Sequence, residues 1–515
     1  MADYLNKTYA VTYSENGKWM FAKNECYVTS GKGIDNLIRL IKSQTKSQKR
    51  RIVVWNFHLS EMVIWSGLKF SHIERHSLRS FIIKYATYEN ILFKNAKEFY
   101  RTNVEKIAEE NNLPFHGELA IIWYAMEEER LKNEGKIFRI PVTSIGYISR
   151  RINTLNGFKN RDFDLYRLGK SITPETHEII SKCKNGGLCG VDYGRLDFPC
   201  IVNSYDFKSF YTWIMSTQVF PYRRYICLHG LAENSARFQR FNEKAEKGKL
   251  LWIARVKFSF IRAKSINYLN YDSAISDTYI FTNLDYKIIQ KSYDYNIAEI
   301  IDFIPFEAPA KLPESLREYI AKQFLIKESF KKDTLEYQQA KIFLNCIFGL
   351  FCQNQANYGK SINCFTAQQR PMVIGVFVTA YGRYFLWDVM REHNPLIWDT
   401  DGFKTQDTID LSKFNKNREI IGNMGKLICE YEYSPCTVFG NKQYVLNGNL
   451  KLSGTDGKLA TEYCKKYNVI PHIGTVIPPE YTNKVVIKGN KMIHVPYTIG
   501  LKFYEEVKQT DDFKD

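Results

Sequence analysis

The sequence predicts an α+β fold with more than one domain, and three observations support this prediction. At 515 residues the chain is long enough for about two to four domains with sizeable cores. Short apolar runs typical of strands alternate with segments of helical period along much of the chain. Two such periodic regions are separated by a turn-rich connector that we interpret as a domain boundary, and its turn residues are Gly186, Gly187, Gly190, Gly194 and Pro199.

Before the connector, residues 1–180 are expected to alternate strands with helices. The apolar pattern predicts strands at Tyr9–Tyr13 and Ile52–Trp55 and helices at Ile34–Gln44 and Gly117–Lys132. This alternation is typical of an α/β domain.

Beyond the connector, two regions have the pattern of strands with helices packed on them. We expect residues 190–260 and 365–460 to form one mixed sheet. Residues 314–350 are charged and helical in pattern, and Gly349 is predicted to end that helix. The apolar span 371–390 contains Arg383, which indicates a buried helix and not a membrane span.

The composition favours a polyanionic partner. It also favours a reducing compartment for the protein. The chain has 72 Lys and Arg against 55 Asp and Glu, a formal net charge of +17, which suits nucleic acid but equally a basic soluble protein. The 11 cysteines form no C-x-x-C pair, so we expect free thiols. Asp3 and Lys7 lie where a signal peptide would need apolar residues, and we expect a cytoplasmic protein.

Two aspartates in the stretch Pro395–Phe403 are the strongest chemical signal. Asp399 and Asp401 flank Thr400 behind an apolar run and before a glycine, a pattern typical of a β-hairpin tip. Residues i and i+2 of a strand point to one face, so both carboxylates could converge on a cation. Paired divalent ions held by carboxylates can clamp the oxygens of a phosphoryl transfer. An isolated pair like this is more often a solvated turn.

Two upstream segments make the pair more specific. An apolar run ends at Asp206, with Ser209 and Tyr211 three and five residues later. Further along, helical spacing places Lys341, Asn345 and Phe348 on one face. The chain therefore carries a third carboxylate, a cation suited to phosphate and rings suited to stacking.

In this order the three segments resemble motifs A, B and C of the family B DNA polymerases, which read D-x-x-S-L-Y, K-x-x-x-N-S-x-Y-G and Y-x-D-T-D-S. The protein-primed, phi29-type branch is the most similar. Lys442-Gln-Tyr444 resembles that family's K-x-Y motif, and Lys451-Leu-Ser-Gly454 fits its K-x-x-G segment. Lys184-Asn-Gly-Gly187 stands where the branch has Y-x-G-G, and Val373–Arg383 resembles the helix before motif C.

The resemblance implies a right-hand polymerase with palm, fingers and thumb behind an exonuclease-like α/β domain. The implied limits are 1–184 for that domain, 185–260 and 361–464 for the palm, 261–313 for an insertion contacting a priming protein, 314–360 for the fingers and 465–515 for the thumb.

The resemblance also implies a role for each site residue. Asp206 and Asp401 would hold two Mg²⁺ ions, for which Mn²⁺ can substitute, and Asp399 would be a third ligand or support the site through water. Lys341 would meet the triphosphate, and Tyr211 would exclude a 2′-hydroxyl. The nascent base pair would be lined by Asn345 and Phe348, and the DNA would be held by Lys442, Tyr444 and Lys451.

Several motif positions depart from the family pattern. Cys346 and Phe348 replace Ser and Tyr in motif B, and Ile397 and Gly402 replace Tyr and Ser in motif C. Thr212 stands where a proline is usual in motif A. None of these changes removes a carboxylate or Lys341, so we expect altered nucleotide affinity or fidelity with activity retained.

The N-terminal region lacks the aspartates that a 3′→5′ exonuclease uses to hold its metals. The D-x-E motif aligns with Thr12-Tyr-Ser14, and the second motif places Ser60 where an aspartate belongs, with Glu61 after it. The third candidate is Pro114–Glu118. We therefore expect an exonuclease-like domain without activity, which guides the template or a single strand.

Three classes of function stay open from the sequence. The first is a template-directed DNA polymerase that uses primer–template DNA and dNTPs, with a terminal protein as primer, in a linear phage or plasmid genome replicated in bacterial cytoplasm. The second is a nuclease, which the missing aspartates disfavour. The third is a non-catalytic or primer-independent polymerase relative that binds nucleic acid, which the intact Asp206, Lys341 and Asp401 disfavour. A reverse transcriptase is disfavoured because its paired aspartates are usually adjacent.

Overall fold

The computed structural model describes twelve stretches of the chain: 8–24, 27–43, 52–56, 58–75, 83–95, 173–222, 226–271, 276–332, 334–352, 372–416, 419–488 and 491–500. The described residues fall into two compact units. The first takes those within Met1–Asn153, Leu325–Cys346 and Ile487–Ile493, and the second takes the rest.

The N-terminal part of the first unit is a seven-stranded sheet with two helices. Its strands are β1 (Thr8–Tyr13), β2 (Lys18–Asn24), β3 (Tyr27–Lys32), β4 (Ile52–Asn56), β5 (His72–Arg75), β6 (Ile83–Tyr88) and β7 (Ile91–Asn95), and its helices are α1 (Ile34–Ser43) and α2 (Leu59–Trp65). The spatial order is β3-β2-β1-β4-β7-β6-β5, with β1, β4 and β7 parallel and the other pairs antiparallel.

The predicted strands near residues 9 and 52 and the helix from Ile34 are confirmed. The predicted helix Gly117–Lys132 lies outside the described residues. The parallel centre of the sheet is apolar, because central strands are covered on both faces. Val11, Val54 and Phe93 on its three strands are fully buried.

The remaining strands are β8 (Cys189–Val191), β9 (Cys200–Phe207), β10 (Val219–Phe220), β11 (Leu228–Leu231), β12 (Leu250–Ala263), β13 (Asp277–Thr282), β14 (Tyr293–Glu307), β15 (Ala310–Lys311), β16 (Pro395–Asp399), β17 (Gly402–Thr405), β18 (Leu427–Gly440), β19 (Gln443–Leu446), β20 (Asn449–Lys451), β21 (Val476–Ile477), β22 (Val485–Lys488), β23 (Lys491–His494) and β24 (Tyr497–Thr498). The remaining helices are α3 (Pro174–Lys182), α4 (Phe210–Thr217), α5 (Ala236–Glu246), α6 (Asn283–Ser292), α7 (Glu314–Ser329), α8 (Leu335–Cys352), α9 (Met372–Met390), α10 (Leu411–Lys416) and α11 (Gly457–Lys466), with short 3₁₀ turns at Tyr193–Arg195 and Pro479–Tyr481.

The second unit is built on a seven-stranded sheet in the order β20-β19-β18-β9-β17-β16-β8. Every pairing in it is antiparallel, so the predicted mixed sheet is wrong in this respect. The physical reason is that β16–β17 and β18–β19–β20 are joined by short turns, and a short turn can join only antiparallel strands. The predicted adjacency of the segments around Asp206 and Asp399 is observed, because β9 pairs with β17.

A separate four-stranded sheet has the order β11-β14-β12-β13. Its two long strands, β12 and β14, pair over almost their whole length with three register shifts. Residues 260 and 261 both lie within β12, so the limit expected between palm and insertion falls inside one continuous strand.

Two helices follow that sheet, and the second corrects a prediction. Helix α8 continues past Gly349 to Cys352, so this glycine does not end the helix. A single glycine in a helix costs only about 1 kcal/mol, and burial of Leu350 and Phe351 just beyond it offsets that cost.

Helix α9 is buried along most of its length, as predicted for the span 371–390. Within the described part of the chain, no helix is long and apolar enough to cross a membrane.

A buried ion pair joins α9 to α6 and to the glycine connector. The Arg383 guanidinium donates to both carboxylate oxygens of Asp285 at 2.7 and 2.8 Å, and the two side chains are 3% and 1% exposed. Asp285 also accepts from Thr282 at the start of α6. The remaining guanidinium nitrogen donates to the carbonyls of Asn185 and Gly186. One side chain thus fixes two helices and the connector.

We predict that Arg383→Ala lowers the free energy of unfolding by about 3–5 kcal/mol, because it leaves the Asp285 carboxylate buried without its partner. Urea unfolding would measure this loss. The matched control is Arg391→Ala, which removes a half-exposed arginine paired with Asp388, and should cost no more than about 1 kcal/mol. Equal losses for the two variants would contradict the prediction.

Candidate active site

The tip of the β16–β17 hairpin carries the two aspartates of the D-x-D segment. Asp399 ends β16 and pairs with Gly402 at the start of β17, so Thr400 and Asp401 form a two-residue turn. Thr400 has a φ of 62°, and its N–H donates to the Leu188 carbonyl at 2.7 Å. The turn therefore positions Asp401, and the strand alternation assumed from the sequence does not.

Asp206 lies next to this tip on β9. Its Cα is paired with that of Gly402, and the N–H of Phe207 donates to the Asp401 carbonyl at 2.8 Å. Ser209 then takes a left-handed conformation, with φ 50°, and begins α4. The three predicted aspartates are thus brought together at one end of three neighbouring strands.

Asp399 is held in its charged form by neighbouring donors. Burial alone would raise its pKa, but hydrogen bonds from Lys442, Cys189 and Thr400 bring the pKa below the ordinary aspartate value. The Lys442 ammonium lies 2.9 Å from Asp399, and the Cys189 thiol lies 3.1 Å from it. Lys442, predicted to hold DNA, contacts a site carboxylate in this structure.

Asp401 has the opposite electrostatic environment. Burial, followed by repulsion from Asp399, raises the pKa of Asp401 to about 6. A desolvated carboxylate beside like charges is destabilised, and a bound cation relieves this penalty. The oxygen donors at this tip therefore fit a hard divalent ion such as Mg²⁺.

Tyr211 closes one side of the tip. Its ring packs against Phe348 with a centroid separation of 4.4 Å, and burial raises its pKa above the ordinary tyrosine value. A Cβ at position 187 would lie 2.9 Å from both the Tyr211 hydroxyl and the Thr400 Cα. Only glycine fits at position 187. Because it has no side chain, the connector can approach the hairpin tip closely.

The predicted DNA-binding residues lie on β19, on β20 and in the turn before them. Tyr444 pairs with Lys451 across these strands, and Lys442 precedes β19 with a φ of 60°. The Lys404 ammonium stands 4.4 Å from the centre of the Tyr444 ring. These residues form a basic and aromatic strip that continues from the carboxylates through Lys442.

Lys341 and Asn345 are exposed on α8, at positions that group with the first unit. Phe348, one turn further along, groups with the second unit and contacts Tyr211. The helical spacing predicted for these three residues is confirmed.

Sequence reasoning missed three residues near the tip. Glu430 on β18 contributes to the raised pKa of Asp401, Cys189 on β8 contacts Asp399, and Lys404 on β17 is buried enough to lower its pKa. The sequence shows only that these residues lie on predicted strands near the motifs, and it does not show which strands pair. Such cross-strand neighbours are set by register and not by local spacing.

In the first unit, a cavity of about 910 Å³ is lined in part by Thr12–Ser14, the segment that corresponds to the first exonuclease motif. Among the described residues that line it are Thr12, Ser14, Lys32 and His58, and none is an aspartate or glutamate. Ser60 is buried, and its hydroxyl accepts from the N–H of Ile83. The third aligned segment, Pro114–Glu118, lies outside the described residues.

No family model matches the sequence, and no curated protein does. Solved structures do match. Phi29 DNA polymerase complexed with primer–template DNA and incoming nucleotide has a TM-score of 0.70 at 15% identity, with 96% of this chain and 100% of that chain covered. An orthorhombic crystal form of phi29 DNA polymerase has a TM-score of 0.69 at 14% identity, with the same coverage.

This chain has the fold of phi29 DNA polymerase. The α+β polymerase fold and the phi29-type resemblance inferred from the motifs are thereby confirmed as a likeness of structure.

Gly402 explains one departure from the polymerase motif. The family has serine here, but a Cβ at position 402 would lie 2.7 Å from the Tyr205 carbonyl oxygen and 2.8 Å from the Asp206 carboxylate. Backbone on the paired strand cannot withdraw without breaking the ladder, so the register of β9 and β17 requires glycine.

We predict that Gly402→Ser, although it restores the family residue, lowers the free energy of unfolding by about 1–3 kcal/mol through overpacking. Chemical denaturation would measure this loss. Gly186→Ser is the matched control, because a Cβ there meets nothing within 4 Å. A Gly402→Ser protein as stable as the control would contradict the required close approach.

Proposed function

We propose that this chain is a template-directed DNA polymerase that adds deoxynucleotides by two-metal phosphoryl transfer. The observation that carries this proposal is that Asp206 on β9 pairs with Gly402, the residue directly after Asp401, in a chain with the phi29 polymerase fold. Phi29 DNA polymerase forms complexes with primer–template DNA and incoming nucleotide substrates, and we infer the same partners here.

The residues present fit a pair of divalent ions. Asp206 and Asp401 would hold them, with Asp399 as a third ligand or as support, and Mn²⁺ would substitute for Mg²⁺. Such ions would supply the neutralisation of charge that phosphoryl transfer requires.

The chain's own side chains would orient the reactants. The Tyr211 ring, fixed by Phe348 and by the neighbouring glycines, would exclude a 2′-hydroxyl and so select deoxynucleotides. Lys341 and Asn345 would meet the incoming nucleotide from α8. Lys442 would neutralise Asp399, and Tyr444 and Lys451 would hold the primer strand.

We also propose that synthesis starts from a hydroxyl of a terminal protein, in the replication of a linear phage or plasmid genome in bacterial cytoplasm. This rests on the likeness to the phi29-type branch. By the same likeness, the insertion expected over residues 261–313, which contains β13 and β14, would contact the priming protein.

Asp401→Asn tests the polymerase. With labelled primer–template, dNTPs and Mg²⁺ we expect extension by the wild type and a loss of at least about 100-fold in the variant, because a metal-holding charge is removed. The matched control is Asp294→Asn, at a side chain that is 68% exposed, with extension unchanged.

Two results would count against the polymerase. Extension by Asp401→Asn at the wild-type rate would remove this residue from the site. Tight binding of primer–template without incorporation, from either a DNA primer or a protein primer, would favour a relative that only binds nucleic acid.

We further propose that the chain lacks effective 3′→5′ proofreading, because the cavity in the first unit has no carboxylate among its described lining residues. A 5′-labelled primer incubated with Mg²⁺ and no dNTPs should keep its length. Asp401→Asn serves as the control, because it changes the polymerase site and leaves the N-terminal domain unaltered. Primer shortening by both proteins would show a working nuclease and overturn this proposal.

A further inference from the structure

The four-stranded sheet carries a mixed set of donor side chains away from the polymerase carboxylates. Within the described part of the chain, Cys227, His229 and Asp302 place one ligand atom each within 4.8 Å of one another. His229 on β11 is paired directly with Asp302 on β14, and Cys227 stands two residues before His229. The sheet register therefore creates this cluster.

Asp302 in this cluster is already held by a residue outside it, Arg255. Asp302 is 2% exposed, and the Arg255 guanidinium on β12 lies 2.5 Å from one of its oxygens. The other oxygen lies 2.7 Å from Nδ1 of His229. An outer partner that fixes a ligating carboxylate in this way is the usual surrounding of a protein metal site.

We propose that Cys227, His229 and Asp302 form a structural zinc site. Thiolate and imidazole are the donors that Zn²⁺ prefers, whereas Mg²⁺ and Ca²⁺ take oxygen. The Asp302 oxygen facing His229 is the third ligand, and a water molecule completes a tetrahedron. The thiol releases its proton to solvent on binding.

Such an ion would attach a weak edge to its sheet. Strand β11 has four residues and lies at the edge of the order β11-β14-β12-β13, and Ile226 just before it is 74% exposed. A four-residue edge strand has little burial to hold it. Metal bonds from both strands supply the missing attachment.

Cobalt and zinc titrations test the site. Metal-free protein is titrated with Co²⁺ in a buffer that contains Mg²⁺, which competes at oxygen-only sites. We expect one equivalent to bind with the near-ultraviolet absorption of a thiolate–cobalt bond, and Zn²⁺ to displace it. Zn²⁺ should also raise the melting temperature by about a few degrees.

Variants assign the ligands. Cys227→Ser should abolish the thiolate band, and His229→Gln should weaken binding at least about 10-fold. The control is Cys200→Ser, which changes another half-buried cysteine and should bind as the wild type does. Metal-free circular dichroism and melting show whether each variant folds, and His229→Gln keeps the test intact if Cys227→Ser does not.

No thiolate band in the wild type, or an equal band in Cys227→Ser, would overturn the proposal and leave an ordinary ion pair between His229, Asp302 and Arg255. Primer extension plays no part in these readouts, so failure of the zinc site and failure of the polymerase assignment are distinguishable.

Discussion

The buried pair of Arg383 and Asp285 is the constraint on which the candidate site depends. Desolvating both charges is costly, so the pair is stable only when its remaining hydrogen-bonding groups are also satisfied. Thr282 donates to Asp285, and two backbone carbonyls accept from Arg383. Thr282 is the N-cap of α6 and forms a capping box with Asp285. Arg383 on α9 donates to the carbonyls of Asn185 and Gly186. Two residues later the Leu188 carbonyl receives the N–H of Thr400. A side chain in the core thus fixes the backbone at the hairpin tip.

Electrostatics at that tip are asymmetric, and the asymmetry follows from strand neighbours. Asp399 has a cation and two weaker donors beside it, so it stays ionised without a metal. Asp401 has burial and other carboxylates beside it, so its pKa rises to about 6. Ionising Asp401 is therefore coupled to the arrival of positive charge. A cation that binds at the tip therefore gains the most binding free energy from its contact with Asp401, whose charged form is otherwise the least stable.

Sequence reasoning succeeded where the determinants are local. The hairpin around Thr400, the strand ending near Asp206 and the buried helix from Met372 each follow from hydrophobic period and turn chemistry. Sequence reasoning failed where the pairing register of the strands determines which residues are neighbours. Glu430 and Cys189 reach the tip only because β18 and β8 pair beside β9 and β16. Gly349 looked like a helix end because packing of the residues beyond it is invisible in the sequence.

The same geometry separates two kinds of departure from the polymerase motifs. Gly402 stands where the family has serine, and the paired strand β9 leaves no room for a larger side chain. This departure is therefore required by the register of β9 and β17. Thr12, Ser14 and Ser60 stand where the resemblance to the exonuclease motifs expects carboxylates, and no aspartate or glutamate is among the described residues that line the N-terminal cavity. A metal pair can tolerate a changed neighbour but not the loss of its ligands. Under the proposed function, the hairpin tip keeps the carboxylates that phosphoryl transfer would use, whereas the described residues that line the N-terminal cavity include none. This is the arrangement expected of a polymerase that extends DNA without correcting it.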